Sequence, residues 1–73
     1  MDENELKERM IRDNAEFRKL YEEHQRHEQR LDELKGKSFL TEEEKLEEKE
    51  LKKIKLTLKD QMYKLMRDFQ KSL

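Results

Sequence analysis

Lys35-Gly36-Lys37-Ser38-Phe39-Leu40-Thr41-Glu42-Glu43-Glu44 is the stretch that decides the fold of this 73-residue chain. It contains the only glycine of a sequence without proline, so it is the clearest place for a helix to stop. Thr41 and Glu44 have the spacing of a capping box, which marks a helix start. Gly36 is placed to end the preceding helix in the left-handed conformation. We therefore predict one domain over residues 1–73, with a helix over about 4–35, a loop over 36–40 and a helix over about 42–71.

The composition indicates a long-helix or coiled-coil protein. Charged residues make up 51% of the chain, yet the net charge is only −1 and the apolar residues recur with helical spacing. The absence of cysteine excludes disulfides and thiolate metal sites, and it agrees with a cytoplasmic location. The acidic N-terminus has no apolar segment, so we expect no signal peptide. No apolar run approaches the ~18 residues of a transmembrane helix.

The first helix is predicted to carry a coiled-coil seam. From Leu6 onward, the seam positions follow one another in alternating steps of four and three residues. Most of these positions are apolar, and three are polar. The seam consists of Leu6, Met10, Asp13, Phe17, Leu20, His24, His27, Leu31 and Leu34.

The second helix is predicted to carry two apolar strips. One strip can pack against the first helix, and it consists of Leu51, Ile54, Leu58, Met62, Leu65, Phe69 and Leu73. The other has no partner inside a two-helix hairpin, and it consists of Leu46, Leu56, Tyr63 and Met66. The apolar burial in a thin hairpin barely offsets the entropic cost of ordering the chain, about 1.5 kcal/mol per residue. We therefore expect the hairpin to bind a partner. The predicted fold is therefore an all-α, coiled-coil-like antiparallel two-helix hairpin that associates into a dimeric four-helix bundle or binds another protein.

Charge placement favours the antiparallel pairing. Residues 2–16 hold six acids against three bases, whereas residues 52–71 hold seven bases against two acids. A turn at residues 36–40 would lay these segments side by side. Because exposed ion pairs contribute little stability, their predicted effect is on register and orientation.

Several segments resemble the YdcH-like family of small bacterial proteins. The matching residues lie within about 22–60, and the most specific piece is the block Leu51-Lys52-Lys53-Ile54-Lys55-Leu56-Thr57-Leu58-Lys59-Asp60. Many members have a proline after the loop threonine, where this chain has Glu42. The resemblance implies a helical hairpin in the bacterial cytoplasm with no established activity, and it brings no catalytic residues.

The two histidines allow three interpretations. His24 and His27 are three residues apart on the seam, and a turn near residue 38 would bring Glu47 opposite them, as in a zinc site. We favour ordinary packing, with the imidazoles hydrogen-bonded to Glu47 or Glu48, and we predict no metal and no cofactor. A pH-sensitive joint is compatible with either interpretation.

The basic and apolar residues of the second helix suggest a second function. Lys52, Lys53, Lys55 and Lys59 alternate with apolar residues, as in helices that bind nucleic acids or membrane surfaces. The near-neutral chain favours a solvated helix face instead, so there is no strong nucleic-acid signal.

We predict a small, non-enzymatic interaction or adaptor protein. The acids select no catalytic pair, and the sequence has no glycine-rich phosphate loop. The predicted interaction residues on the second helix are Leu56, Tyr63 and Met66. Phe39 and Leu40 either staple the loop to the helix ends or form an exposed recognition tip.

Overall fold

The computed structural model describes residues 2–72, and this range contains three helices. They are α1 (Glu3–Asp13), α2 (Ala15–Lys35) and α3 (Glu42–Lys71). The predicted all-α class is confirmed, and α3 begins and ends where the sequence indicates. The prediction of one helix over about 4–35 is wrong, so three helices replace the predicted two-helix hairpin. Met1 and Leu73, which belong to the predicted domain and apolar strip, lie outside the described residues.

A single residue, Asn14, separates α1 from α2. Its φ of −121° and ψ of 108° are extended rather than helical. The Phe17 backbone N–H donates a 3.0 Å hydrogen bond to the Asn14 side-chain oxygen, which caps the start of α2. Asp13, predicted on the buried seam, is exposed at the end of α1. The continuous seam fails here because short polar side chains compete for backbone hydrogen bonds and favour helix caps.

Arg18 stabilises the other side of the break. Its Nε donates to the Ile11 carbonyl over 2.7 Å, and its Nη2 donates to the Arg12 carbonyl over 2.8 Å. The last carbonyls of a helix lack intrahelical partners. The guanidinium on the first turn of α2 therefore satisfies the end of α1.

The helix α1 folds back along α2. The Lys7 ammonium lies 5.3 Å from the centre of the Tyr21 ring, and each residue is seven positions from Asn14. Against α3, Glu3 lies beside Tyr63, and the Arg9 guanidinium lies 5.4 Å from the Phe69 ring centre. The helix α1 is therefore antiparallel to α2 and parallel to α3. The predicted antiparallel pairing of residues 2–16 with residues 52–71 is wrong in direction, because the chain reverses at Asn14.

The helices α2 and α3 are antiparallel and are joined by two ion pairs. Arg30 donates to both carboxylate oxygens of Glu47 over 2.8 and 2.9 Å. Lys55 donates to Glu28 over 2.8 Å. Within residues 2–72, these are the ion pairs that link one helix to another. They fix the register of the two longest helices.

The loop between α2 and α3 contains the predicted capping box. Glu44 N–H donates to the Thr41 hydroxyl, and Thr41 N–H donates to the Glu44 carboxylate, each over 3.1 Å. Lys37 also donates to Glu44. The left-handed conformation predicted for Gly36 is wrong, since its φ of −75° and ψ of −10° are right-handed helical. The α2 helix ends through hydrogen bonds from the Gly36 N–H to the Asp32 and Glu33 carbonyls.

Core packing explains why α1 folds back. In the register set by Glu28 and Lys55, a straight continuation of α2 would carry Leu6 and Met10 beyond the end of α3 at Lys71. The reversal instead buries both side chains almost completely. Burying an apolar side chain of this size stabilises the fold by about 1.5–3 kcal/mol. The resulting cluster consists of Leu6, Met10, Phe17, Met62 and Met66. Leu31, Leu34 and Leu58 are also buried. None of the helices in the described part of the chain is long and apolar enough to cross a bilayer.

Candidate functional site

The outer surface of α3 carries a continuous row of exposed residues. Steps of three and four positions keep them on one side of the helix. We call this row the outer stripe, and it consists of Lys45, Lys49, Lys52, Leu56, Lys59, Tyr63, Arg67 and Gln70. Leu56 is 63% exposed and Tyr63 is 53% exposed, and they lie two helical turns apart. Two apolar side chains at this spacing can enter a groove or contact another helix.

The outer stripe carries positive charge without a carboxylate. Its cations flank Leu56 and Tyr63 on both sides along the helix axis. Two of them have partners just outside the row: Lys45 lies 3.5 Å from Glu42, and Lys52 lies 3.5 Å from Glu48. Such exposed pairs are weak and exchange readily with other anions. The stripe therefore combines apolar anchors with a cationic surround.

Met66, predicted with Leu56 and Tyr63 as an interaction residue, is not part of the exposed surface. It is only 7% exposed because α1 covers it, and it belongs to the core cluster. The prediction that nothing covers the second apolar strip is therefore wrong at this position. Ile54, predicted on the buried strip, is 43% exposed instead.

The four lysines predicted as a basic face do not act together. Lys55 is turned towards α2, where it binds Glu28. Lys53 lies about 100° around the helix from Lys52. Lys52 and Lys59 remain on the outer stripe, where Lys45, Lys49 and Arg67 join them. These three cations were missed because the predicted face was confined to the segment 52–59, although the steps of three and four are visible in the sequence.

The loop places Phe39 at its surface. Phe39 is 83% exposed, whereas Leu40 is half-buried. The stapling role predicted for Phe39 is wrong, since a staple would cover its ring. The recognition role remains a prediction for this one side chain.

A small cavity lies where the three helices meet. Its volume is about 60 Å³, and each helix contributes to its wall. The lining consists of Glu3 and Lys7 from α1, His24 from α2, and Lys59, Met62, Tyr63 and Met66 from α3. The predicted straight first helix would separate Lys7 widely from His24, so their proximity was not predicted.

His24 is one of the residues that line this cavity, and it carries a buried polar atom without a partner in the described part of the chain. Its Nε2 is buried and has no hydrogen-bond partner among residues 2–72. Glu28 Oε2 lies 3.7 Å away, beyond hydrogen-bonding distance. Buried polar atoms without a partner are uncommon and costly.

The surroundings of His24 favour its neutral form. Burial lowers the His24 pKa below the usual 6.5, because desolvation penalises the imidazolium. The Glu28 carboxylate raises this pKa, whereas the ammonium groups of Lys55, Lys59 and Lys7 lower it. The hydrogen bond from Lys55 also holds the pKa of Glu28 below its usual 4.5. Glu28 is thus engaged by Lys55 rather than by the imidazole.

The hydrogen bonds predicted from the histidines to Glu47 or Glu48 are wrong. Arg30 occupies both oxygens of Glu47, and Glu48 lies beside Lys52. His27 is half-buried on the same helix as His24. Within residues 2–72, no three histidine or carboxylate side chains lie close enough to hold a metal ion.

Residues 17–66 match the model of a protein family described as "Protein of unknown function (DUF465)". The YdcH-like family belongs to this group, so the resemblance in the sequence is confirmed. The match covers most of α2 and α3 and begins after Asn14, which leaves α1 outside it. The search of curated proteins and that of solved structures each gave no match.

Proposed function

This chain belongs to the DUF465 family of proteins of unknown function, and we propose that it is a small, non-enzymatic interaction protein of the bacterial cytoplasm. Its outer stripe binds an acidic helical segment of a partner protein. The observation that supports this role is the exposure of Leu56 and Tyr63 on one side of α3, surrounded by cations. The bacterial cytoplasmic setting is what the family resemblance implies.

Charge complementarity favours an acidic partner over a second copy of the chain. Two outer stripes packed face to face would bring Lys52 and Lys59 of each copy against the same cations of the other. Like charges brought together at an interface cost stability and select against that partner. A helix with acids beside an apolar row would bury Leu56 and Tyr63 while neutralising the lysines.

The predicted homodimer rested on an uncovered apolar strip. Because α1 covers Met66, the uncovered surface is smaller than a two-helix hairpin would leave. The homodimer stays a prediction, and it is one outcome of the test below.

The first experiment identifies what contacts the stripe. A photo-crosslinking amino acid replaces Leu56 in living bacteria, and the crosslinked peptide is sequenced by mass spectrometry. The control variant carries the crosslinking amino acid at position 46. Leu46 is 59% exposed on α3, but it lies off the outer stripe, about 100° around the helix from Lys45. We expect position 56 alone to give an adduct, with an acid-rich segment of another protein.

The second experiment measures direct binding of that segment as a synthetic peptide. We expect Leu56→Lys to weaken binding by at least about tenfold, as for a buried interface anchor, and Leu46→Lys to leave it unchanged. Added salt should also weaken binding, because the stripe is cationic. Adducts to the chain itself, together with a dimeric mass by light scattering, would overturn the proposal in favour of a homodimer.

A second candidate function is weak binding to nucleic acid or to an anionic membrane surface. The observation that favours it is the absence of carboxylates from the outer stripe. It predicts salt-sensitive binding to RNA or to phosphatidylserine vesicles that falls in Lys49→Gln and Lys52→Gln variants. Such binding without a protein adduct at position 56 would replace the acidic-partner proposal.

A further inference from the structure

We propose that α1 is exchanged between two copies of this chain, so that each α1 lies against α2 and α3 of the other copy. In this dimer Asn14 becomes helical, and residues 3–35 form one continuous helix in each copy. The two continuous helices lie side by side and antiparallel, with the two Asn14 residues opposite each other. The partner is therefore a second copy, and the surface it fits is the place that α1 occupies within one copy.

The pairing of α1 with α2 is centred on the turn itself. Lys7 and Tyr21, which are in contact, lie seven positions before and seven positions after Asn14. Farther from the turn, Glu3 and His24 line the same cavity, eleven positions before it and ten positions after it. Two antiparallel continuous helices centred on Asn14 bring the same residues together between copies. The exchange therefore preserves the packing of α1 while changing which chain supplies it.

The hinge is a single residue that a helix can accommodate. Asn14 is neither glycine nor proline, and its N–H already donates to the Met10 carbonyl over 2.8 Å, as in a helix. On the other side, the Arg18 N–H donates to the Asn14 carbonyl over 3.0 Å. The φ of −121° and ψ of 108° at Asn14 are what interrupt the helix. Opening the hinge therefore requires a conformational change at one residue.

Opening the hinge restores backbone hydrogen bonds that the turn breaks. The Ile11 and Arg12 carbonyls accept from the Arg18 side chain in the closed chain. In a continuous helix they accept from the backbone N–H groups four residues later. A one-residue connection is also shorter than the roughly two to eight residues that usually join packed helices. Short hinges of this kind favour exchange between copies.

The apolar seam continues through the hinge. Leu6, Met10 and Phe17 hold heptad positions on both sides of Asn14, so the pattern is that of one helix. In that straight helix, Leu6 and Met10 extend beyond the end of α3 of their own copy. The rest of the core cluster, supplied by α2 and α3 of a second copy, covers them.

The α1 helix is held by contacts that either copy can supply. Leu6 and Met10 are buried by apolar packing, and the Arg9 guanidinium lies over the Phe69 ring. Within residues 2–72, the ion pairs between helices join α2 to α3, and none includes α1. The pair α2–α3 therefore stays within one copy. Since the exchanged α1 takes the same place beside Tyr63, each half of the dimer presents one outer stripe.

Crosslinking between introduced cysteine pairs tests which chain supplies α1. The sequence has no cysteine, so each pair is unambiguous. One variant carries Lys7→Cys and Tyr21→Cys, which join α1 to α2. The matched control carries Arg30→Cys and Glu47→Cys, which join α2 to α3. After refolding from urea at high protein concentration and treatment with a short bismaleimide, we expect a covalent dimer from the first pair and a monomer, linked internally, from the control.

Replacing Asn14 shifts the balance between the closed chain and the dimer. Asn14→Ala removes the cap and favours the helix, whereas Asn14→Gly retains most of the capping preference and disfavours the helix. Because two hinges open in each dimer, we expect the association constant from sedimentation to be at least about tenfold larger for the alanine variant. Small-angle scattering should give a dimer longer than the 48 Å of one copy.

The exchange and the proposed function fail separately. Leu56→Lys should leave the association constant unchanged, because the exchange brings no new contact to Leu56. If the Lys7→Cys and Tyr21→Cys variant does not fold, Glu3→Cys with Tyr63→Cys replaces it, because both positions are exposed and line one groove between α1 and α3. The same covalent dimer is expected.

Three results would overturn the exchange. The first is a monomeric mass of the unmodified chain at every concentration. The second is a dimer in which the cysteines at positions 7 and 21 are linked within one copy, as contact between two outer stripes would give. The third is an intermolecular link from the control pair, which would mean that α3 is exchanged in place of α1.

Discussion

The two turns of this chain reverse its direction by different means. The turn between α2 and α3 spans residues 36–41 and combines a glycine with a capping box. The turn between α1 and α2 is Asn14 alone, capped by its own side chain and by Arg18. A phenylalanine follows closely after Asn14, and another lies in the loop: Phe17 is fully buried, whereas Phe39 is 83% exposed. The shorter turn is therefore the one tied to the core.

This difference shows where the information for each turn lies. The capping box needs only two residues three positions apart, so it is legible in the sequence. The Asn14 turn depends on carbonyls that Arg18 reaches from the next helix and on the burial of Leu6 and Met10. The first is a local property, whereas the second depends on tertiary packing.

The largest effect is expected from truncating the two phenylalanines. Phe17→Ala should lower the free energy of unfolding by about 3–5 kcal/mol, because it leaves a cavity in the core cluster. Phe39→Ala should change it by less than about 0.5 kcal/mol, as for other exposed positions. Urea unfolding followed by circular dichroism measures both. Similar values for the two variants would contradict the contrast between the turns, and Phe17→Leu provides a milder change if Phe17→Ala is unfolded.

The second largest effect on stability is expected from removing the side chains that cap the helices. Asn14→Ala and Thr41→Ala should each cost about 1 kcal/mol of stability. Only Asn14→Ala should also favour a continuous first helix, since alanine is the best helix former. A fluorescence distance between labels near residues 3 and 24 should then lengthen, whereas Thr41→Ala should leave it unchanged. An unchanged distance in Asn14→Ala would mean that core burial alone maintains the reversal.

The pH dependence of stability tests the packing of α1 beside His24. Because the His24 pKa is lowered in the folded state, the unfolded state binds more protons near and below the usual pKa of 6.5. The free energy of unfolding should therefore fall as the pH decreases through about 6.5. His24→Gln should remove this slope, and His27→Gln should retain it. The pKa values of Glu28 and Glu47 are also lowered, but these carboxyl groups change the free energy of unfolding only below about pH 4.5. The effect of His24 on stability can therefore be measured separately from theirs.

The smallest effect is expected at Gly36. Its backbone is right-handed, and an added Cβ would lie 3.5 Å from the Glu33 carbonyl oxygen, an ordinary contact. Gly36→Ala should therefore stabilise the protein by about 0.4–1 kcal/mol through the unfolded state. A loss of about 1 kcal/mol would instead indicate the left-handed conformation typical of a helix-ending glycine. Thermal unfolding measures the difference.

Prediction from the sequence succeeded where the determining contacts are local. The start of α3 follows from Thr41 and Glu44, and the end of α2 lies at Lys35 as expected. The seam residues Leu6, Met10 and Phe17 are buried as predicted, although in a different arrangement. A heptad pattern records which residues avoid water, but it does not record whether the helix that carries them is continuous.

The same limit applies to the candidate sites. Leu56 and Tyr63 are exposed, in agreement with their position off the main apolar strip. Met66 could not be separated from them, because its burial depends on α1 folding back. Lys7 and His24 could not be brought together for the same reason.

The central position of α2 has a consequence for how quickly the protein can fold. Each of its neighbours is joined to it by a short connection, Asn14 on one side and residues 36–41 on the other. Each helix pair can therefore form from residues close in sequence, and such topologies fold in microseconds to milliseconds. The contacts of α1 with α3 then need no further long loop to close. Folding can begin at either end of α2, so neither turn is an obligatory first step.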